Sequence, residues 1–142
     1  MALRSITTPS TIEIYFGSLD VTEKQNQPVI YASNVGLNFS VDQTIFSHIF
    51  TPTKPAGTVL LIACIPITAT VAECSSVIKE NGVIISRVRN SVAGQFTIYH
   101  ELSRTYTGTS PKNYVWELQP NGGTTIVNQN VATVYTMLVR EI

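Results

Sequence analysis

Apolar and polar residues alternate with a period of two along much of the chain, and nowhere does a helical 3.6-residue period persist. Thr11 to Leu19 sets Ile12, Ile14 and Phe16 against Glu13 and Tyr15. Pro28 to Ala32 is a short strand candidate, and Gly36 to Val41 alternates Leu37, Phe39 and Val41 with Asn38 and Ser40. Thr44 to Phe50 follows closely. After the Pro- and Gly-punctuated segment Thr51 to Gly57, Thr58 to Ile67 reads as a central strand buried on both faces. Val77 to Lys79 and Val83 to Val88 flank Glu80-Asn-Gly82, a tight-hairpin signal. Gly94 to Leu102 alternates Phe96, Ile98 and Leu102 with Gln95, Thr97, Tyr99 and Glu101, and Arg104 to Asn113 reads as a polar loop. Tyr114, Trp116 and Leu118 alternate next, a turn over Gln119 to Gly123 leads into Thr124 to Asn128, and Ala132 to Glu141 is the last strand.

Short strands separated by turns, with no helix to build a parallel crossover, predict an all-β protein. The expected fold is an antiparallel β-sandwich or jelly roll of about eight to ten strands. Residues 1–10, polar and carrying Pro9, form an N-terminal arm, and residues 11–142 form the single sandwich domain.

Two strands are apolar on both sides. Ile45 and Ile49 oppose Phe46, His48 and Phe50, and Val134 and Leu138 oppose Tyr135, Met137 and Val139. If one side fills the core, the other would form a large exposed apolar patch, which soluble monomers rarely carry. Either a second copy covers it, or a loop or the arm shelters it. The oligomer reading uses aromatic and Met residues, the types enriched at interface centres.

Composition narrows the role. Val, Ile and Thr supply a third of the residues, and only 13% are charged. Nine basic residues balance nine acidic ones. That excludes a protein whose main work is neutralising nucleic-acid phosphate, and equally a polybasic membrane anchor. The first residues lack the apolar core of a secretory signal, and the longest apolar run is too short to span a bilayer. Synthesis in a cytoplasm is expected. Two cysteines, Cys64 and Cys74, are too few for a disulfide scaffold, and a free buried thiol is the expectation for Cys64.

Motifs for chemistry are missing. The sequence holds no paired zinc-ligand spacing, calcium loop, phosphate-binding glycines or nucleophile elbow. His48 sits between phenylalanines and reads as a packed histidine. His100 and Glu101 are neighbours on a strand and point to opposite faces. Glu73, Glu101 and Glu117 are the carboxylates from which a sugar-hydrolysing pair would be drawn, as in any sandwich. Arg87 and Arg89 share one strand side, with Arg104 further on. They read either as a solvated strand edge that discourages aggregation, the favoured reading, or as contacts to a partner's carboxylates or a glycan. No enzymatic activity and no cofactor are expected.

Residues 57–142 carry a rhythm of strands and turns: Gly57-Thr-Val-Leu-Leu-Ile-Ala, Glu80-Asn-Gly-Val-Ile-Ile-Ser86, Tyr114-Val-Trp-Glu-Leu118, Gly122-Gly-Thr-Thr-Ile126 and Ala132 to Ile142. This resembles the compact β-sandwich or jelly-roll domains, often similar to the tumour-necrosis-factor and C1q type, on the surfaces of tailed bacteriophage particles. The resemblance implies a non-enzymatic virion protein, a homotrimer made in the host cytoplasm and placed on the virion surface. It implies that Tyr135, Met137 and Val139 lie near the trimer axis, with Phe46, His48 and Phe50 as a second contact. The expected function is capsid decoration: a cement protein that binds the outer shell, with the major capsid protein or another virion protein as partner, and stabilises it by mass action. A short chain opening on Met1 suits this better than a fibre tip. Leu3, Arg4 and Ile6 of the arm would dock on the shell or a neighbour. The alternative is a trimeric receptor- or glycan-binding tip, whose contact loop would present Arg104, Tyr106 and Lys112.

Overall fold

The computed structural model describes residues 29–33, 35–71, 73–128 and 134–142. The proposed arm residues Leu3, Arg4 and Ile6, the alternating segment Thr11 to Leu19 and the expected domain boundary lie outside them. The described residues form ten strands: β1 (Val29–Ser33), β2 (Asn38–Phe39), β3 (Gln43–Phe50), β4 (Ala56–Ala69), β5 (Cys74–Glu80), β6 (Val83–Asn90), β7 (Gly94–Thr107), β8 (Lys112–Pro120), β9 (Ile126–Asn128) and β10 (Tyr135–Glu141).

The fold is an antiparallel β-sandwich of two sheets. Sheet A is built around β4. One edge of β4 pairs with β7 over its full length, and the other is shared by β10 and then β9, with β1 outside β10 and β2 outside β9. Sheet B runs β3-β8-β5-β6. The pairings β5–β6, β4–β7, β3–β8 and β1–β10 are nested inside one another, as in a long hairpin rolled into two layers, which is the jelly-roll arrangement.

Local chemistry fixes the innermost turn. Asn81 (φ 50°) and Gly82 (φ 85°) both take the left-handed backbone that a two-residue turn between β5 and β6 demands. Pro66, in the middle of β4, falls in the gap between β10 and β9, where that edge has no partner for a missing N–H.

The core lies between the sheets. Val59, Leu61, Ala63, Ile65 and Ile67 of β4 meet Tyr114, Trp116 and Leu118 of β8 and Ile78 of β5, each at 0% exposure. Tyr135, Met137 and Val139 of β10 are 5%, 0% and 2% exposed, and Phe50 of β3 is 7% exposed. All four belong to the core of one chain, which corrects their expected place in a subunit interface. Phe46 and His48 point inward with Phe50 and are half-buried. Phe46 packs against Trp116 (ring centroids 6.1 Å) and Tyr135 (5.6 Å) and stacks on Tyr31 (5.5 Å). Alternation along β3 and β10 therefore holds, but the core takes the side that sequence reasoning assigned to a partner. Ile49 and Leu138 are on the outward side. A bulge between Thr44 and Phe46 also turns Ile45 onto the core.

The expected polar loop from Arg104 to Asn113 is mostly strand. β7 continues to Thr107 because Ala56, Gly57 and Thr58 of β4 need antiparallel partners, and β8 begins at Lys112. Tyr106 is 5% exposed in the core, its ring set edge-on to Phe50 at 5.6 Å. It is no contact-loop residue. Its hydroxyl oxygen lies 2.5 Å from where a Cβ on Gly57 would stand, so glycine is required there.

Candidate functional site: two interior polar clamps and two unlike outer faces

Polar side chains link the two sheets in two places, one inside the core and one at its exposed margin. His100 of β7, 2% exposed, bonds Ser76 of β5 through Nε2 and Ser86 of β6 through Nδ1, each at 2.8 Å. Trp116 donates its indole N–H to the same Ser76 Oγ at 2.8 Å. An indole nitrogen can only donate, so Ser76 spends one of its two acceptor positions on it, and its O–H and second lone pair remain for His100 Nε2. The neutral ring has one N–H donor and one acceptor nitrogen, and a serine hydroxyl serves either. Burial lowers the His100 pKa from 6.5 to about 4, so the ring is neutral near pH 7. The Ser76–His100 distance is that of a nucleophile and its base. Both are sealed in the core, however, and a serine stands where an orienting carboxylate would be.

The second clamp lies nearer the β5–β6 turn. Arg104 of β7 donates through Nε (3.1 Å) and Nη2 (2.8 Å) to one carboxylate oxygen of Glu80 on β5. Arg104 therefore bridges the sheets and does not belong to a contact loop. Lys112, the remaining expected loop residue, is half-buried at the start of β8. The buried carboxylate of Glu141 on β10 receives Thr53's amide N–H at 2.9 Å and its hydroxyl. Burial alone would raise the Glu141 pKa, but the two Thr53 bonds and the nearby Lys54 charge hold it below the usual value.

His48 has one satisfied nitrogen, Nδ1, 2.8 Å from the Tyr31 hydroxyl, and burial lowers its pKa. It borders a cleft of about 200 Å³ between β1 and β3, lined also by Val29, Phe50, Thr51, Val139 and Glu141. A second cleft of about 300 Å³ opens beside Leu37, Phe39, Thr44 and Tyr135. Among the described residues, no three His, Cys, Asp or Glu side chains gather to hold a metal. No helix among them is long and apolar enough to cross a membrane.

The outer faces differ in kind. On sheet B, Lys79 pairs with Glu117 at 3.0 Å, Glu117 accepts from Gln119 at 2.7 Å, Gln119 accepts from Arg87 at 3.2 Å, and Arg89 pairs with Glu73 at 2.5 Å. Beneath this lattice Ser75 and Val77 are only 2% and 0% exposed. The arginines and two of the candidate carboxylates are consumed in it. Glu101 lies on the outer face of sheet A, where it accepts from Tyr99 at 3.3 Å, so the three carboxylates do not converge on one substrate.

The outer face of sheet A is apolar across β1, β10 and β4 and polar along much of β7. Cross-strand register sets Ile30, Leu138, Ile62 and Glu101 in one row and Ala32, Thr136, Cys64 and Tyr99 in the next. Leu60 and Pro66 extend it along β4. Ile30 is 61% and Tyr99 52% exposed. Cys64 is a half-buried free thiol on this face, whereas Cys74 is free and buried within the core on sheet B, with its thiol pushed up to about 11 by burial. Cys64 therefore faces away from the core, contrary to expectation. The inward histidine clamp escaped sequence reasoning, although Ser76, Ser86 and His100 all fall at inward positions of their strands.

No protein-family model matches the sequence, and no curated protein matches it. Similar solved structures include dimeric latent PorU from Porphyromonas gingivalis, at 10% identity and a TM-score of 0.52 over 81% of this chain and 12% of that one. The Eiger TNF from S. frugiperda aligns at 9% identity and a TM-score of 0.41, covering 60% of this chain and 59% of its own. A family 35 carbohydrate binding module from Clostridium thermocellum aligns at 13% identity and 0.36, covering 79% and 97%. The chain thus spans about an eighth of the PorU chain, and the likeness to PorU is one of fold alone.

Proposed function

We propose that this chain is a structural assembly protein of a bacteriophage virion, a homo-oligomeric capsid decoration subunit that binds the outer shell and stabilises it. The observation that carries the assembly role is the contrast between the two outer faces. Sheet B meets solvent with a lattice of paired charges beside the exposed Ile49. Sheet A turns the aliphatic row Ile30–Leu138–Ile62 and the neighbouring Cys64 and Tyr99 outward, at a cost in free energy for as long as water covers them. The chemistry-bearing side chains support the same reading. His100, Ser76, Glu80 and Arg104 hold the sheets together, and Glu73 and Glu117 hold the surface of sheet B. The phage surface as the place of assembly comes from the sequence resemblance, and the shell partner is the major capsid protein. Binding only to the assembled shell would raise its resistance to disruption by mass action.

The test is to mix the purified protein with phage shells that lack it and image the product. Added density at a fixed number of copies per shell is the expected result. Bare shells would overturn the decoration role, and adherence to host cells or glycans instead would point to a receptor-binding tip.

A further inference from the structure

The geometry points to a second copy of this chain as the occupant of the outer face of sheet A; this names a partner within the assembly role proposed above and rests on it. Three features of the face argue for it. The first is size. β4 and β7 are 14 residues long, β10 seven and β1 five. At the usual rise and spacing this gives a plan area of roughly 650 Å², of the order of the ~800 Å² per partner of a standard interface. The second is composition. The central rows are Ile30–Leu138–Ile62, ending at Glu101, and Ala32–Thr136–Cys64–Tyr99. Thr97 and Ser103 add neutral polar groups along β7, and among the described residues the charge on the face is Arg140 on β10 and Glu101 on β7.

The third feature is polarity across the strands. The β1–β10 side carries small side chains, Ala32 and Thr136, together with the cation Arg140. The β7 side carries the bulk of Tyr99 and the anion Glu101. A surface graded in this way, small and positive on one side and large and negative on the other, is complemented by the same surface turned round. A copy so placed brings Tyr99 toward the shallow Ala32 side and Glu101 toward Arg140. Sheet B offers no counterpart, because its charges are already paired with one another.

The experiment is light scattering of the full chain at micromolar concentration, beside Ile62→Glu on this face and Val115→Glu on the outer face of sheet B. The wild type and Val115→Glu should weigh two or more copies, and Ile62→Glu should weigh one. Cys64 supplies a second readout that needs no substitution, because its alkylation by iodoacetamide should quicken several-fold when the wild type is diluted. A monomeric wild type, an unchanged mass for Ile62→Glu, or alkylation independent of concentration would each overturn the proposal. Assembly through this face with bare shells in the imaging test would sink the virion role and keep the interface. Decorated shells with Ile62→Glu still oligomeric would do the reverse.

Discussion

Acid should unpick the sandwich at His100 before it reaches any carboxylate. The unfolded chain binds a proton at this histidine with a pKa near 6.5, whereas the native ring, buried between Ser76 and Ser86, binds one only near 4. The unfolded state therefore holds more protons as pH falls through this window, and native stability falls with it. The contribution is fully present above pH 6.5. Linkage puts the loss at about 2 kcal/mol by pH 5 and about 3 kcal/mol by pH 4, with a slope approaching 1.4 kcal/mol per pH unit. The structural cause is specific. Once the ring is protonated both of its nitrogens must donate, so it can accept from neither Ser76 nor Ser86, and burial opposes its new charge. Trp116, the single tryptophan and fully buried, reports unfolding by its fluorescence. Urea titrations from pH 7 to 5, for wild type and His100→Gln, give the slope directly. The variant should be less stable at pH 7 yet lose much less between pH 6.5 and 5, the residue of the slope coming from His48, whose pKa burial also lowers. Parallel slopes for the two proteins would refute the assignment. The low pKa of Glu141 acts in a separate window: its contribution is present above the unfolded carboxylate value and is lost only at more acid pH.

Other consequences are as direct. Gly57→Ala places a methyl 2.5 Å from the Tyr106 hydroxyl oxygen and 2.9 Å from its ring carbon, and should cost about 1–3 kcal/mol in denaturant unfolding. Adding Tyr106→Phe should recover part of that loss, and no recovery would show that the clash lies elsewhere. Trp116→Phe empties core volume and leaves Ser76 without its indole donor, so a loss of about 2 kcal/mol is expected by circular dichroism melts. Cys74, buried and with a raised pKa, should stay unreactive toward a thiol reagent in the native protein and react only on unfolding, whereas Cys64 reacts in the folded chain once dilution uncovers it. Lys79→Gln removes one partner of a half-buried pair, leaves Glu117 its Gln119 bond, and should cost about 1 kcal/mol in denaturant unfolding.

The architecture was legible because alternation and turn chemistry are local. The Asn81-Gly82 hairpin, the long β4, the inward series Phe96, Ile98 and Leu102, and the core position of Trp116 all follow from residues a few places apart. The choice of inward face was legible only in part. On β10 the unbroken series Tyr135-Met137-Val139 opposes a Leu138 flanked by Thr136 and Arg140, a local sign of the inward side. On β3, however, Ile45 and Ile49 compete with Phe46 and Phe50, and the decision rests with the strands packed opposite. Length misled in β7, where Thr105, Tyr106 and Thr107 look like loop but are held as strand by Ala56, Gly57 and Thr58. For the candidate site, sequence supplied the individual histidines, arginines and carboxylates, while partners such as Ser86 for His100 and Thr53 for Glu141 are 14 and 88 residues away and depend on the rolled topology.

The nested pairing also has a kinetic consequence. The β5–β6 turn closes over two residues, whereas Val29 meets Val139 across 110 positions of chain. Closing such a span carries most of the entropy of a long loop, so the outermost pair gains the most from the inner pairs already being in place. The order of formation suggested by this geometry runs from the hairpin at Asn81 outward, ending when β10 slots between β1 and β4. Until then both of those strands keep an open edge, and the nascent sandwich is at its most adhesive in the interval before its last strand arrives.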